Sequence, residues 1–288
     1  MLRYSLNTKY TYLLSNGIVL PEYPRPSYVR ENYINLNGLW EYDIIQSEND
    51  ITDFKNKILV PYCIESSASR VQKLLSKNDI LVYRKMLDFE KELDYDNVIL
   101  HFDSIMQKSK IYINNTLVCT NNNGFLPISI NIKKYVKRGT NELIVKVKNE
   151  PDYTYPTGKE NVKRGGMWYT KTTGIYKPVW IEYYNNGYIE DVIVKSELDG
   201  NVNISVKSTS ESHKATVSFN GETIKELSFE KEISFNLEEP KLWSVEEPNL
   251  YSLTIENEID ALEKAGFTQI TSSNGGKENY GLFVARTS

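Results

Sequence analysis

Glu142-Leu143-Ile144-Val145-Lys146-Val147-Lys148 decides the fold class. Leu143, Val145 and Val147 share one phase of a two-residue repeat, and Glu142, Lys146 and Lys148 share the other. Ile144 alone breaks the pattern. Such a segment buries one face and wets the other, which is the signature of a strand in an antiparallel sheet. Working outward, short runs rich in β-branched and aromatic residues predict strands over 38–45, 57–60, 80–88, 97–102, 109–113, 116–120, 128–131 and 179–184. Ile111 to Val118 reads as a hairpin, with Asn114-Asn115 at the positions that require positive φ. A short helix is expected over 67–75. Together these make a two-sheet sandwich of about 150 residues, within the usual range of domain sizes.

A second alternating series follows near Gly187, with strands expected over 189–194, 202–206, 215–219, 233–237 and 250–255. Asn220-Gly221 is a tight-turn signal within it. The series has the spacing of a small immunoglobulin-like sandwich. The residues from 258 change character: Glu258 to Gly266 has helical spacing closed by a glycine, Thr271 to Lys277 is loop-like, and Tyr280 to Val284 reads as a last strand. The domain boundaries expected are therefore 1–186, 187–257 and an unmatched tail, 258–288, with an irregular open edge where the alternation stops.

Composition narrows the function classes. The 288 residues carry a net charge of -4 with both signs interspersed, so no polyanion partner is advertised and nucleic-acid binding is not expected. The one basic run, Lys133 to Arg138, reads as a solvated turn. No apolar stretch is long enough for a membrane span, and Met1 to Tyr10 lacks the apolar core of a signal peptide, so the expected location is cytoplasmic. Two cysteines, Cys63 and Cys119, are too few for a disulfide scaffold or a cysteine zinc site and read as small buried hydrophobes. With only His101 and His213, a histidine metal cluster is excluded, and no phosphate-loop or dinucleotide pattern occurs, so no cofactor or metal is expected. His101-Phe102-Asp103-Ser104 lacks the elbow a nucleophilic serine needs.

Several phrases together carry a family resemblance. Pro24-Arg25-Pro26, Arg30-Glu31 and Ile34-Asn35-Leu36-Asn37-Gly38-Leu39-Trp40 open the series. Val60-Pro61-Tyr62-Cys63-Ile64-Glu65-Ser66, Val82-Tyr83-Arg84-Lys85, Leu100-His101-Phe102, Tyr112-Ile113-Asn114-Asn115 and Gly139-Thr140-Asn141-Glu142-Leu143 continue it. Met167-Trp168-Tyr169-Thr170-Lys171-Thr172-Thr173-Gly174-Ile175-Tyr176-Lys177-Pro178-Val179-Trp180 is the most specific, and Pro240-Lys241-Leu242-Trp243 through Pro248-Asn249-Leu250-Tyr251 closes it. In this order the phrases resemble glycoside hydrolase family 2, the retaining β-glycosidases that include β-galactosidase, β-glucuronidase and β-mannosidase. The resemblance covers roughly residues 20–256 and implies an all-β chain, a jelly-roll, galactose-binding-like sandwich followed by an immunoglobulin-like sandwich. The family's catalytic glutamates sit on a third domain, a TIM barrel of about 250 residues, for which this chain has no room.

Retaining hydrolysis needs two carboxyl groups about 5 Å apart with separated pKa values. The local pairs Asp88 with Glu90, Asp94 with Asp96, and Glu190 with Asp191 lie at turns or strand margins and read as solvated charge, so no catalytic residue is assigned. A sugar can still stack on an aromatic ring while its hydroxyls take hydrogen bonds. Tyr153, Tyr155, Lys159, Glu160, Arg164, Trp168 and Tyr169 gather such groups in one loop, with Lys163 beside them, and the resemblance implies that a loop in this region reaches a glycosidase active site. Two departures weaken any transfer of sugar specificity. The acidic residue that some relatives carry before the Gly-Ile step is here Gly166 or Trp168, and their histidine-containing double-glycine turn is here Asn121-Asn122-Asn123-Gly124-Phe125. Trp40, Trp180 and Trp243 are expected as structural residues, and Arg84 as one half of a buried ion pair.

Three readings remain open at this level. The chain is expected to be the non-catalytic front of a β-glycosidase, inactive by itself. Alternatively it is a stand-alone carbohydrate-binding module, or an assembly partner that self-associates or docks on a glycosidase barrel and supplies its loop.

Overall fold

The computed structural model describes residues 14, 17–25, 28–30, 32–150, 154–160, 165–185, 188–257 and 278–283. These residues form two compact units, one from residues up to Pro24 and Tyr33–Tyr184, the other from Arg25–Asn32 and residues from Asn185 onward. The first strand, β1 (Tyr28–Val29), thus belongs to the second unit.

The first unit contains β2 (Tyr33–Asn35), β3 (Gly38–Ile45), β4 (Asn56–Val60), β5 (Ile80–Phe89), β6 (Asn97–Phe102), β7 (Ile105–Met106), β8 (Lys108–Ile113), β9 (Thr116–Asn121), β10 (Ile128–Asn131), β11 (Gly139–Lys148), β12 (Gly174–Ile175) and β13 (Val179–Tyr184). A six-stranded sheet runs β4-β3-β5-β11-β8-β9, a four-stranded sheet β10-β6-β13-β2, and β12 pairs with β7. Every pairing is antiparallel. Leu143, Val145 and Val147 of β11 enter the core with Leu81 and Tyr83 of β5, Ile111 and Ile113 of β8, and Leu100 and Phe102 of β6. Trp40 lies among them, its ring edge-on to Tyr83 and its Nε1–H donated to the Leu36 carbonyl at 2.7 Å. The Asn114-Asn115 turn takes the expected positive φ at both residues, 47° and 65°. Ile144 breaks the alternation because the outer face is itself part covered: it packs against a small cluster of Ile45, Phe54 and Val82.

The expected helix over 67–75 reduces to one 3-10 turn, Ser67–Ser69. Ser66 caps it by accepting the Ala68 N–H, and Arg70 then turns into the left-handed region at φ 68° and ends it.

In the second unit, β14 (Ile189–Ser196), β15 (Asn201–Ser208) and β18 (Glu232–Asn236) form one sheet. β16 (His213–Phe219), β17 (Glu222–Phe229), β19 (Tyr251–Asn257) and β20 (Glu278–Phe283) join β1 in the other, ordered β1-β20-β19-β16-β17. Val192, Val202, Ile204 and Val206 pack against Ala215, Val217, Leu253 and Ile255 between them. β17 has no counterpart in the sequence reading, and β20 pairs along β19, so the open edge expected after β19 is filled. The helical turn expected over 258–266 lies outside the described residues.

Candidate functional site

β11 ends at Lys148, and the chain returns to the sandwich at β12 through the loop that carries the sugar-binding candidates. Its closing end rests on buried polar groups. The Thr172 N–H donates to Glu160 Oε1 at 2.9 Å and the Thr173 N–H to Glu65 Oε2 at 2.8 Å. Asn149 donates to the Thr172 carbonyl at 2.6 Å, and Lys171 bonds the carbonyls of Leu75 and Asn149. Ile175 N–H reaches the buried Tyr83 hydroxyl at 3.2 Å. Residues 64–75 and 171–175, far apart in sequence, are thereby held together outside any sheet, with the Ile64 N–H also bonding the Thr173 carbonyl at 3.2 Å.

Of the candidates, Tyr153 and Arg164 lie outside the described residues. The loop's two described arms meet where Tyr169 N–H bonds the Lys159 carbonyl at 2.9 Å. Glu160 and Tyr169 form a backbone bridge, and the Lys159 amine lies 5.8 Å from the Tyr169 ring centre. Trp168 closes a tight turn on Gly165 and is half-buried, while Tyr169 is 64% exposed and Met167 68%. Tyr155 stands apart from that group, with the Lys108 amine 4.6 Å from its ring centre. Glu160 points into the protein and holds Thr172, so it is an anchor of the loop and not part of its exposed surface.

Burial sets the electrostatics beneath the loop. Glu65 is 4% exposed, and its Oε1 has no hydrogen-bond partner among the described residues. Loss of hydration pushes its carboxyl up to about 7, with the Thr173 bond and the nearby Lys171 charge only partly opposing. Burial likewise raises Glu160 and the Cys63 thiol, and lowers Lys171. Both carboxyl groups are engaged by loop amides, an arrangement that holds backbone.

The other carboxylates are engaged by neighbouring side chains. Asp88 accepts from Thr140, Asp94 pairs with Arg138, Glu190 with Lys207 at 2.7 Å, and Asp191 accepts from Tyr28. His101 stacks on Trp180 at 4.7 Å between ring centres, its Nε2 3.5 Å from Glu182. Ser104 donates to the Gly124 carbonyl and Asp103 faces Lys177, so the three do not converge. Trp180 and Tyr23 both donate to the buried Glu182. Trp243 is half-buried and bridges to Pro248. Arg84 does pair with Glu41, at 2.6 Å, but the pair is partly exposed and not buried, because it stands on the outer face of the six-stranded sheet. The Asn121 to Phe125 loop caps itself through Asn121 and Asn123 side chains and leaves Phe125 and Leu126 exposed.

Sequence reasoning passed over Glu65, Asn149 and Thr173. The available signal was Glu65 itself, a carboxylate set directly after Ile64 in a phrase that enters the core.

Known proteins share this architecture. A domain model described as glycosyl hydrolase 2 galactose-binding domain-like matches residues 54–177, and one described as glycosyl hydrolases family 2 matches 187–267. A β-galactosidase of Thermoanaerobacter pseudethanolicus is 24% identical over 78% of this chain and 32% of its own length. A β-glucuronidase of Streptococcus agalactiae is 22% identical over 88% of this chain and 46% of its own. The crystal structure of Ruminococcus gnavus β-glucuronidase superposes with a TM-score of 0.69 at 19% identity, covering 92% of this chain and 46% of that one. The chain therefore spans from 32% to 46% of the length of these relatives. Among the described residues there are two sandwiches and no (β/α)8 barrel, and no helix is long and apolar enough to cross a membrane.

Proposed function

This chain belongs to glycosyl hydrolase family 2 through its galactose-binding-like and immunoglobulin-like domains, and from that premise we propose that it is the non-catalytic portion of a retaining β-glycosidase. Its role is to present the loop of residues 154–169 at the mouth of a glycosidase active site, where Trp168 and Tyr169 contact the sugar. The barrel that performs the chemistry is then a further part of the same protein or a second chain. The observation that carries this reading is the contrast within the loop, whose base is fixed on Glu65, Glu160 and Asn149 while Met167 and Tyr169 stand out into solvent. An exposed aromatic on an anchored base keeps the entropy cost of binding low. A cytoplasmic location belongs to the same reading, and the unpaired Cys63 and Cys119 suit a reducing compartment.

The test is turnover of the nitrophenyl β-galactoside, β-glucuronide and β-mannoside by the purified 288-residue chain, with and without a family 2 barrel supplied in trans. No turnover is expected from the chain alone, and Tyr169→Ala is expected to weaken any gain that the barrel confers. Hydrolysis that tracks the chain through purification refutes the reading.

A further inference from the structure

A second place in the first unit has the makings of a ligand site, on the outer face of the six-stranded sheet. Strand register sets Glu41 beside Arg84, Arg84 beside Ile144, and Ile144 beside Tyr112, so four side chains form one row across β3, β5, β11 and β8. At the usual strand spacing that row is about 14 Å long. The segment between β3 and β4 folds over the same face as a strap. Phe54 packs on Ile45 and Val82, while Glu48 accepts from Lys110 through its carboxylate and from Lys146 through its carbonyl, at 2.6 and 2.9 Å. Between strap and row lies an open groove of about 410 Å³, inside the range of about 300–1,000 Å³ typical of small-molecule sites.

The chemistry of the groove selects its occupant. Arg84 lies over the Phe54 ring at 4.3 Å, with Nε on Glu41 and Nη1 3.8 Å from Glu142. The guanidinium is thus fixed in orientation and still has N–H donors beyond that bond. Lys146 adds an ammonium 5.7 Å from the centre of the half-exposed Tyr112 ring. Glu142 and Thr52 line the same groove and supply acceptors. Both signs meet around the groove: Glu41 accepts from Arg84 and Lys57, Glu142 lies beside Arg84, and Glu48 accepts from Lys110 and Lys146, so the groove has no cluster of one sign set for an anion. It offers instead alternating donors and acceptors around an aromatic and aliphatic floor, which is what a pyranose with adjacent hydroxyls requires. We propose that this groove binds a neutral di- or oligosaccharide, stacked on Tyr112 and Ile144 and hydrogen-bonded by Arg84, Lys146 and Glu142. The site does not depend on the loop of residues 154–169.

The test is a titration of the isotopically labelled 288-residue chain with cellobiose and lactose, followed by backbone amide shifts, with glucuronate as the anionic counterpart. The amides of Tyr112, Ile144 and Lys146 are expected to shift with one common saturation curve for at least one disaccharide. Tyr112→Ala is expected to weaken that curve about tenfold, the scale of a lost aromatic contact, with Lys146→Met as a second route that leaves the core untouched. Tyr169→Ala is expected to leave it unchanged. Shifts confined to residues 154–169, no saturation with either disaccharide, or glucuronate binding as tightly as both would overturn the groove. The first of those outcomes would place the sugar on the loop instead, the other two leave the loop's service to a glycosidase untouched, and loss of loop function with the groove shifts intact sinks only the loop.

Discussion

Replacing Glu65 by glutamine should stabilise the first unit above neutral pH, and the size of the gain follows from the carboxyl's surroundings. The folded carboxyl sits near 7 because burial removes its hydration, against an ordinary glutamate value of about 4.3–4.5. A group raised on folding favours the folded state only while protonated. Its contribution is complete below the unfolded value and is lost as pH rises through the folded one. A shift of about 2.5 units corresponds to about 3 kcal/mol forfeited across that window. For a domain of this size about 3 kcal/mol is roughly 6–12 °C in Tm. Glutamine keeps an oxygen for the Thr173 N–H and carries no charge, so the variant should show no such loss. The assay is thermal unfolding from pH 4.5 to 8 followed by tryptophan fluorescence, since Trp40, Trp168 and Trp180 all lie in this unit. Subtracting the two profiles cancels every other titrating group. A difference that stays flat with pH, or a variant less stable than the parent at pH 8, would show that Glu65 is ionised and well paired, and the reasoning would fail.

Three further outcomes follow from particular contacts. Gly174 has φ +100° and a Cβ there would overlap the Tyr83 hydroxyl, so Gly174→Ala should cost on the order of 3 kcal/mol from backbone strain and overpacking together, read by denaturant midpoint. Glu41→Gln should cost no more than about 1 kcal/mol, with the difference shrinking in high salt, because the pair with Arg84 is partly exposed; a loss above about 3 kcal/mol in urea titration would restore the buried pair expected from sequence. Glu182→Ala removes the acceptor of the buried Trp180 Nε1–H and of the Tyr23 hydroxyl and should cost about 3 kcal/mol by the same measurement.

The sandwiches were legible because a half-buried strand advertises its two faces, as Leu143, Val145 and Val147 do against Lys146 and Lys148. β17 escaped notice for the complementary reason. It is an edge strand whose first half, Glu222, Thr223 and Ile224, is exposed, and only Leu227 and Phe229 near its end reach the core, too short an alternation to stand out. The helix expected over 67–75 failed at Arg70 and Gln72, which take positive φ in answer to the surrounding chain, and local propensity carries no record of that. The aromatic loop could be named from composition, but its foundation could not. Glu65 becomes an unusual acid only when Thr173 and its neighbours close over it, a property of two stretches about a hundred residues apart. The outer groove was hidden similarly: its row of side chains comes from four strands, and only register brings Arg84 level with Tyr112.

The placement of β1 has a consequence for biosynthesis. Tyr28 pairs with Tyr280 and Val29 with Asn279, so a strand near the front of the chain finds its partner only after nearly everything else has been made. While the ribosome works, the first sandwich can close on its own contacts, leaving residues 25–32 outside it with nothing yet to pair. Cutting the gene at codon 187 to express the second domain alone would delete that strand and bare the amide edge of β20, an invitation to aggregation. A usable second-domain clone has to carry residues 25–32 along, joined to its front by a short linker.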